Sequence, residues 1–506
     1  GRYFFQSTNG YAEYANHFDP TNAGYRFVTR YQQSFAGTGT SGALTHPDFN
    51  EYGFFLQDDW RVTNHLNINL GVRYDVQLMK GPQTPNPSAA LAAAGLSTTE
   101  FQNDFDNIAP RFGFAWSPKD KLVVRGGYGL FFGRTPAIAL GTAHSNNGIN
   151  VIGITLSNVR LPFTYPNRFA SLAEIQALGG QPAVADIFIF DKKYQQPYTQ
   201  QGSLGIEYEL FKDLSVGASY LHVKGTNLSR TRDLNLGAPV ATTIPIQGGA
   251  SLTYLRHPGA TAPTRPIAGF GRISQFEGSA DSSYDALVLT ANKRLARNFQ
   301  LLASYTWSKV LDNTPDQTSV VVGGGDDAKQ AQQTFLLSDD RGPGVSNTPH
   351  RFVLSGLWEL DYFKALNPAA RAVIGGWQLG SIVQIASNQP FTEFLGSDIN
   401  NDGNNRTDRT PTVGRNTLSV GRTETVDLRL TKNFNLYEDK VRVQLIGELF
   451  NAFNHTNVVS FQSNKYRVTG LNTAAAALVL RTDFLDPRGV PADGQRIGQL
   501  AIKLIF

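Results

Sequence analysis

From residue 65 to residue 76 the chain alternates without a break. Leu66, Ile68, Leu70, Val72, Tyr74 and Val76 share one parity, and Asn67, Asn69, Gly71, Arg73 and Asp75 share the other. Successive side chains of a strand point to opposite faces, so this segment carries one apolar face and one polar face. Residues 426–436 repeat the pattern, with Val426, Leu428, Leu430 and Phe434 set against Asp427, Arg429, Thr431, Asn433 and Asn435. Residues 441–449 do so again, with Val441, Val443, Leu445 and Leu449 opposite Arg442, Gln444 and Glu448. Further strands are expected at about 50–62, 108–117, 120–132, 200–210, 213–224, 281–294, 298–311, 347–360, 374–388 and 495–506. Two weaker strands are expected near 1–6 and 25–36, with a short amphipathic helix over 11–18 between them.

The spacing of these segments decides the architecture. Gaps near Thr63, Pro118, Lys212, Arg297 and Glu438 are short. Between them lie gaps of roughly 30 to 70 residues at 79–107, 133–199, 225–280, 312–346, 389–422 and 454–494, rich in Gly, Pro, Asn, Asp and Thr as loops are. Alternating short and long connections build a transmembrane β-barrel, with tight periplasmic turns on one rim and long extracellular loops on the other. A soluble β-sandwich also alternates, but its Trp would sit in mid-strand. Here Trp60, Trp116, Trp307, Trp358 and Trp377 all lie on the apolar parity within about four residues of a strand end, where indole prefers the headgroup level. The charges on the apolar parity, Asp58, Lys293, Lys309 and Lys432, are also near strand ends. A Lys on the lipid face at the bilayer midplane costs about 2–4 kcal/mol, falling toward zero at the rim. In hydrocarbon every backbone N–H and C=O needs a protein partner, which only a closed sheet or a helix supplies.

Composition agrees. Charged residues make up 17 % of the 506 residues, against about 25 % in a typical soluble chain. There is no Cys, which excludes disulfide scaffolds, thiolate metal sites and Cys nucleophiles. A net charge of +4 over this length is no footprint of nucleic-acid binding. No stretch approaches the roughly 18 apolar residues of a membrane helix, and mean hydropathy is −0.25. With neither Met nor a signal-peptide pattern at its start, Gly1 reads as an interior position of a longer protein.

The segments EYGFFLQDDWRVTNHLNINLGVRYD (51–75), NIAPRFGFAWSPKDKLVVRGGYGLFF (107–132), SSYDALVLTANKRLARNFQLLASYTWSK (282–309), NTPHRFVLSGLWEL (347–360) and GELFNAFNHTN (447–457) occur in this order. They resemble the β-barrel of TonB-dependent outer-membrane receptors, most closely the Oar-like group. Leu500, Ile502, Leu504 and the terminal Phe506 alternate in a way that looks like the tail read by the barrel-assembly machinery of Gram-negative bacteria. The resemblance implies an integral outer-membrane protein that catalyses no chemistry. It binds a scarce, unidentified extracellular ligand and takes it up with energy delivered by the TonB system. It also implies a barrel of about 22 strands around an N-terminal plug. Residues 1–506 are then expected to be the C-terminal barrel portion, with about 14–16 strands and without the plug, the TonB box or the N-terminal regulatory-like domain. A passive porin-like channel and a surface adhesion or protein-export barrel are the alternatives.

The sequence offers few sites. Asp398, Asn400, Asp402, Asn404 and Asp408 lie in DINNDGNNRTDR, which resembles the start of an EF-hand-type loop and could hold a structural calcium. However, Arg409 occupies the twelfth position, where such loops place a bidentate Glu. Otherwise this is a polar turn, and no other cofactor is required. Arg73, Arg125, Arg429, Arg442 and Glu448 are expected on the lumenal face, holding a plug or lining a path. His65, His350 and His455 show no metal-ligand spacing. Gly323 to Asp327 (GGGDD) lacks the Lys-Ser/Thr of a phosphate loop. Tyr165, Phe188 and Tyr194 are loop aromatics able to meet a ligand.

Overall fold

A computed structural model describes all residues except 6–9, 314–330, 361, 363–366, 368–369, 371–372, 405–407, 437–440 and 492–493. Its main element is a fifteen-stranded sheet. Thirteen strands follow one another in a single antiparallel path, each beside its neighbour in sequence. They are β1 (Phe49–Thr63), β2 (Leu66–Met79), β3 (Ile108–Lys119), β4 (Leu122–Phe132), β5 (Tyr198–Phe211), β6 (Leu214–Asp233) and β7 (Phe270–Ala296). After these come β8 (Phe299–Asp312), β9 (His350–Glu359), β10 (Trp377–Ser387), β11 (Arg422–Leu436), β12 (Val441–Phe450) and β13 (Ile497–Ile505). Two short segments, Ala185–Phe190 and Gly342–Pro343, add to β7 and β8. The alternating segments of the sequence are these thirteen strands.

The short connections all lie at one end of the sheet. Between β7 and β8 the turn is Arg297–Asn298, with φ of 54° and 64°. Positive φ at both central residues is the twist that a two-residue hairpin needs. The cross-strand register stacks like with like. Trp60 lies opposite Ile68, and Ile68 opposite Phe114; Asp59 lies opposite Asn69, and Asn69 opposite Gly113. Leu204, Ile206, Tyr208 and Leu210 of β5 are exposed, and among the described residues no core covers that face. Trp60, Trp116, Trp307 and Trp358 are exposed as well, and Trp377 is half-buried.

Two of the charges on the apolar face, Lys293 and Lys432, are closed off at the short-turn rim, whereas Asp58 and Lys309 are exposed. Lys293 Nζ donates to Asp213 Oδ2 at 2.7 Å and to the carbonyls of Ala296 and Phe299 at 3.1 and 3.3 Å. Lys432 Nζ donates to the carbonyls of Val373, at 3.2 Å, and Gly375, and lies over the Trp377 and Phe434 rings. Among the described residues no helix is long and apolar enough to cross a membrane.

The buried apolar clusters lie largely in the long connections and in the segment that precedes β1. One joins Val28, Tyr31, Ile154, Leu156, Phe169 and Ile175. Another joins Ile244, Leu395, Ile399, Tyr466 and Leu478. Two expectations change here. The weak strands near 1–6 and 25–36 form, as Arg2–Phe4 and Phe27–Ala36, but in a separate four-stranded sheet with Val151–Arg160 and Gln181–Pro182. Val28 and Tyr31 are buried in that sheet's own core, which fixes it there. The gap at 225–280 is also partly strand. β6 continues to Asp233, and β7 starts at Phe270, so this hairpin rises well beyond the about 9–11 residues that cross a bilayer. The helix expected over 11–18 is present as Gly10–Phe18.

The path does not close on itself. β1 is exposed along nearly its whole length, as is β13, and among the described residues the two do not pair.

Candidate functional site in the long-loop cluster

Described parts of four long connections, 234–269, 331–349, 388–421 and 451–496, meet beyond the end of the sheet opposite the short turns. The hairpin Val240–Pro245 with Ser251–Arg256 and the hairpin Tyr466–Thr469 with Ala477–Leu480 pack there around Ile244 and Leu478.

Residues 398–404 and Asp408 are pinned together by side-chain oxygens that accept backbone N–H groups. Asp398 Oδ1 accepts the N–H of Asp402 at 3.1 Å, and Oδ2 accepts that of Gly403 at 2.9 Å. Asn400 Oδ1 accepts the Asp402 N–H at 3.0 Å, and Asp402 Oδ1 accepts the Asn404 N–H at 2.7 Å. Asp408 Oδ2 accepts the Ile399 N–H at 2.6 Å. Gly403 has φ of 87°, the left-handed turn that Gly admits without strain. His257 N–H donates to the Asn400 carbonyl at 2.7 Å, and the Asn401 amide to the His257 carbonyl at 3.1 Å.

Asn400, Asp402, Asn404 and Asp408 are buried. Burial, reinforced by the Asp398 charge, pushes the Asp402 carboxyl up to about 7. Asp408 is raised well above the usual range by burial and by Asp402 and Asp398. The motif's residues are therefore brought together. Among the described residues no three His, Asp or Glu side chains form a group able to hold a metal ion. Of the Asp398, Asp402 and Asp408 carboxylate oxygens, Asp408 Oδ1 is the one buried without a hydrogen-bond partner.

Beside this loop lies a buried ion network. Asp340 Oδ1 accepts from Arg409 Nη1 at 2.9 Å, and the Asp339 carbonyl accepts from Arg409 Nη2 at 2.8 Å. Arg415 Nε donates to the Asp340 carbonyl at 2.8 Å, and Arg415 is ion-paired with Asp312. Burial, with Arg230 nearby, lowers Arg415 to about 10. Arg230, whose side chain is 0 % exposed, stands 3.8 Å from Asp340 Oδ2. Arg232 pairs with Glu277 at 2.9 Å, and Arg265 with Asp233.

A cavity of about 370 Å³ opens between these parts. Its lining includes Tyr254, Gln333, Asp339, Arg409, Thr410 and Val413. No sequence signal marks it, since Tyr254, Gln333 and Arg409 lie far apart in the chain and share no motif.

The other expected sites are dispersed. Arg73 pairs with Asp75 at 2.7 Å, Arg125 faces Glu207 at 3.9 Å, and Arg429 faces Glu448 at 3.6 Å. Arg429 and Glu448 are direct register partners on β11 and β12, where Arg442 lies opposite Asn435. These residues line the polar face and gather into no single site. Leu500, Ile502 and Leu504 of β13 lie opposite Gly447, Leu445 and Val443. They are exposed, Leu500 at 89 % and Ile502 at 78 %, as is Phe506. His350 Nδ1 is 2.7 Å from the Tyr305 hydroxyl, and His455 Nδ1 is 3.1 Å from Glu424 Oε1. Phe188 and Tyr194 belong to an apolar cluster with Phe190 and Phe276, whereas Tyr165 is exposed. Residues 323–327 lie outside the described residues.

A family model described as an outer membrane beta barrel domain matches residues 1–419. The TonB-dependent transporter Oar of Myxococcus xanthus is 24 % identical over 468 residues, which is 87 % of this chain and 38 % of Oar. The outer membrane transporter YddB from Escherichia coli is similar in structure, with a TM-score of 0.48 and 12 % identity over 90 % of this chain and 45 % of YddB. The siderophore receptor PirA from Acinetobacter baumannii gives a TM-score of 0.46 with 9 % identity, covering 90 % of this chain and 45 % of PirA. The chain thus spans less than half the length of these relatives.

Proposed function

The chain belongs to the outer membrane beta barrel domain family, and on that basis we propose that it is the C-terminal barrel portion of a TonB-dependent receptor that carries a scarce extracellular ligand inward with energy supplied through TonB. It is an integral outer-membrane protein and a TonB-dependent transporter-like barrel. The observation that carries the proposal is the division of labour along the sheet. An apolar face with Trp near its rims meets lipid, a polar face with paired charges looks inward, and the long connections fold into a cored cluster at one end.

In this reading Arg73, Arg125, Arg429, Arg442 and Glu448 hold a plug contributed by the rest of the full-length protein. Outer-membrane lipid surrounds the wall. The barrel-assembly machinery reads Leu500, Ile502, Leu504 and Phe506, and the TonB system pulls on the plug-bearing part. The long-loop cluster receives the ligand.

Bilayer conductance and whole-cell uptake test the proposal together. Full-length protein in a planar bilayer is expected to give no steady current, because the lumen is plugged. Uptake by cells is expected to stop when TonB is deleted. Steady conductance without TonB would make the protein a passive channel and overturn the reading.

A further inference from the structure

One connection at the short-turn rim is unlike its neighbours. β3 and β4 are separated by residues 120–121 and β5 and β6 by residues 212–213, and all four of these residues are charged. β9 and β10 are separated by residues 360–376. Near its end this connection presents Val373 and Ile374, which are 70 % and 46 % exposed. Water disfavours such an aliphatic pair on an exposed turn.

The side chains that hold this connection fix where it lies. Trp358 of β9 stands opposite Leu379 of β10, and Trp377 of β10 opposite Lys432 of β11. All four lie on the apolar parity of the sheet, the side that meets lipid. Trp358 Nε1 donates to the Tyr362 hydroxyl at 2.6 Å, and Trp377 Nε1 donates to the Val373 carbonyl at 3.0 Å. Lys432 Nζ donates to the Val373 carbonyl at 3.2 Å and to the Gly375 carbonyl. Both ends of the connection are thus tied to side chains of the lipid-side face. Backbone is served at the same time, since the Asn433 N–H donates to the Gly376 carbonyl at 2.9 Å and the Leu360 N–H to the Trp377 carbonyl at 2.8 Å. Unserved backbone is what bars irregular segments from a membrane, and here the carbonyls of Val373, Gly375 and Gly376 all have donors. Lys432 is 4 % exposed, so its charge is engaged within the protein.

We propose that Tyr362 and residues 373–376 form a foot that rests on the periplasmic leaflet of the outer membrane, with Val373 and Ile374 inserted beneath the phospholipid headgroups. The foot continues the lipid interface of the wall, because the Trp that hold it belong to the aromatic girdle at the strand ends. Interfacial segments reach about 5–10 Å into the headgroup/acyl boundary. That depth keeps the backbone among headgroups while the two aliphatic side chains reach the acyl chains. The foot is a membrane contact in its own right and needs neither ligand nor TonB.

Residues 1–506 contain no Cys, so Val373→Cys in the full-length protein places one thiol in this portion. Asp120→Cys does the same on the turn between β3 and β4, and the unsubstituted protein supplies the labelling background. Each variant is labelled with bimane in nanodiscs of phosphatidylethanolamine and phosphatidylglycerol, which leave both faces of the bilayer open to a soluble quencher. Bimane at 373 is expected to be quenched by lipid carrying a nitroxide near the top of its acyl chain, and less by lipid carrying it near the chain end. Its Stern–Volmer constant for iodide is expected to be severalfold below that of bimane at 120. Iodide quenching equal at the two positions would place residue 373 in water and overturn the proposal. Shielding from iodide without nitroxide quenching would mean that protein rather than lipid covers the site, and would overturn it too. If Val373→Cys does not fold, as judged by heat-modifiable migration, Ile374→Cys carries the same measurement with the same two overturning results.

Discussion

Asp402 shows how much one side chain of the long-loop cluster depends on pH. Its folded-state pKa, about 7, is above the ordinary carboxylate value of 3.8, because burial and then the Asp398 charge penalise ionisation. A raised carboxyl pKa means that the folded loop binds the proton more tightly than the unfolded chain. Its contribution is fully present below the ordinary value and is lost as pH rises through about 7. Hydrogen exchange over residues 398–404, taken relative to the intrinsic rate at each pH, is therefore expected to become faster from pH 6 to pH 8. Asp402→Asn, which keeps the shape without the charge, should remove that dependence. The calcium expected from the sequence motif is checked in the same experiment: added calcium that restores protection at pH 8 would support it, and calcium without effect would rule it out. Charges on the polar face matter less individually. Arg429 is half exposed and lies 3.6 Å from Glu448, so Arg429→Ala should cost under about 1 kcal/mol in unfolding titrations.

Among the elements, β13 gives the sharpest contrast between faces. Ile502 points to the apolar side with Leu445, and Lys503 to the polar side with Gln444. Ile502→Lys places a cation against acyl chains at a cost of about 2–4 kcal/mol, and the heat-resistant folded band on gels should fall sharply. Lys503→Glu, one residue away, should leave it in place. This element is legible in the sequence because a period of two is local: each residue of a wall strand is set by the face it presents. Phe27–Ala36 is less legible. It alternates only loosely, and its place in a separate sheet follows from a core with Ile154 and Phe169 more than a hundred residues on. The continuation of β7 back to Phe270 is hidden for a similar reason. Residues 270–280 are buried against the parallel segment Ala185–Phe190, so they lack the clean alternation of a wall strand.

For the whole molecule, the two free edges set the strongest expectation. Among the described residues β1 and β13 each present an edge of unpaired backbone, and lipid tolerates no such edge. Residues 1–506 alone, refolded in detergent, are expected to give no heat-modifiable monomer, whereas the full-length protein should give one. A stable monomeric barrel from these residues would mean that β1 and β13 pair with each other. The architecture can be read from gap lengths and Trp positions, but the cavity cannot. Its polar walls come from three connections that have no pattern in common, and only the fold brings Gln333 to Arg409. The placement of the apolar cores has a further consequence. Because Val28, Ile244 and their neighbours consolidate the outer connections away from the bilayer, that hood is a fixture with its own internal support. Its recognition surface can be recut by evolution or by design while the membrane-embedded wall stays as it is.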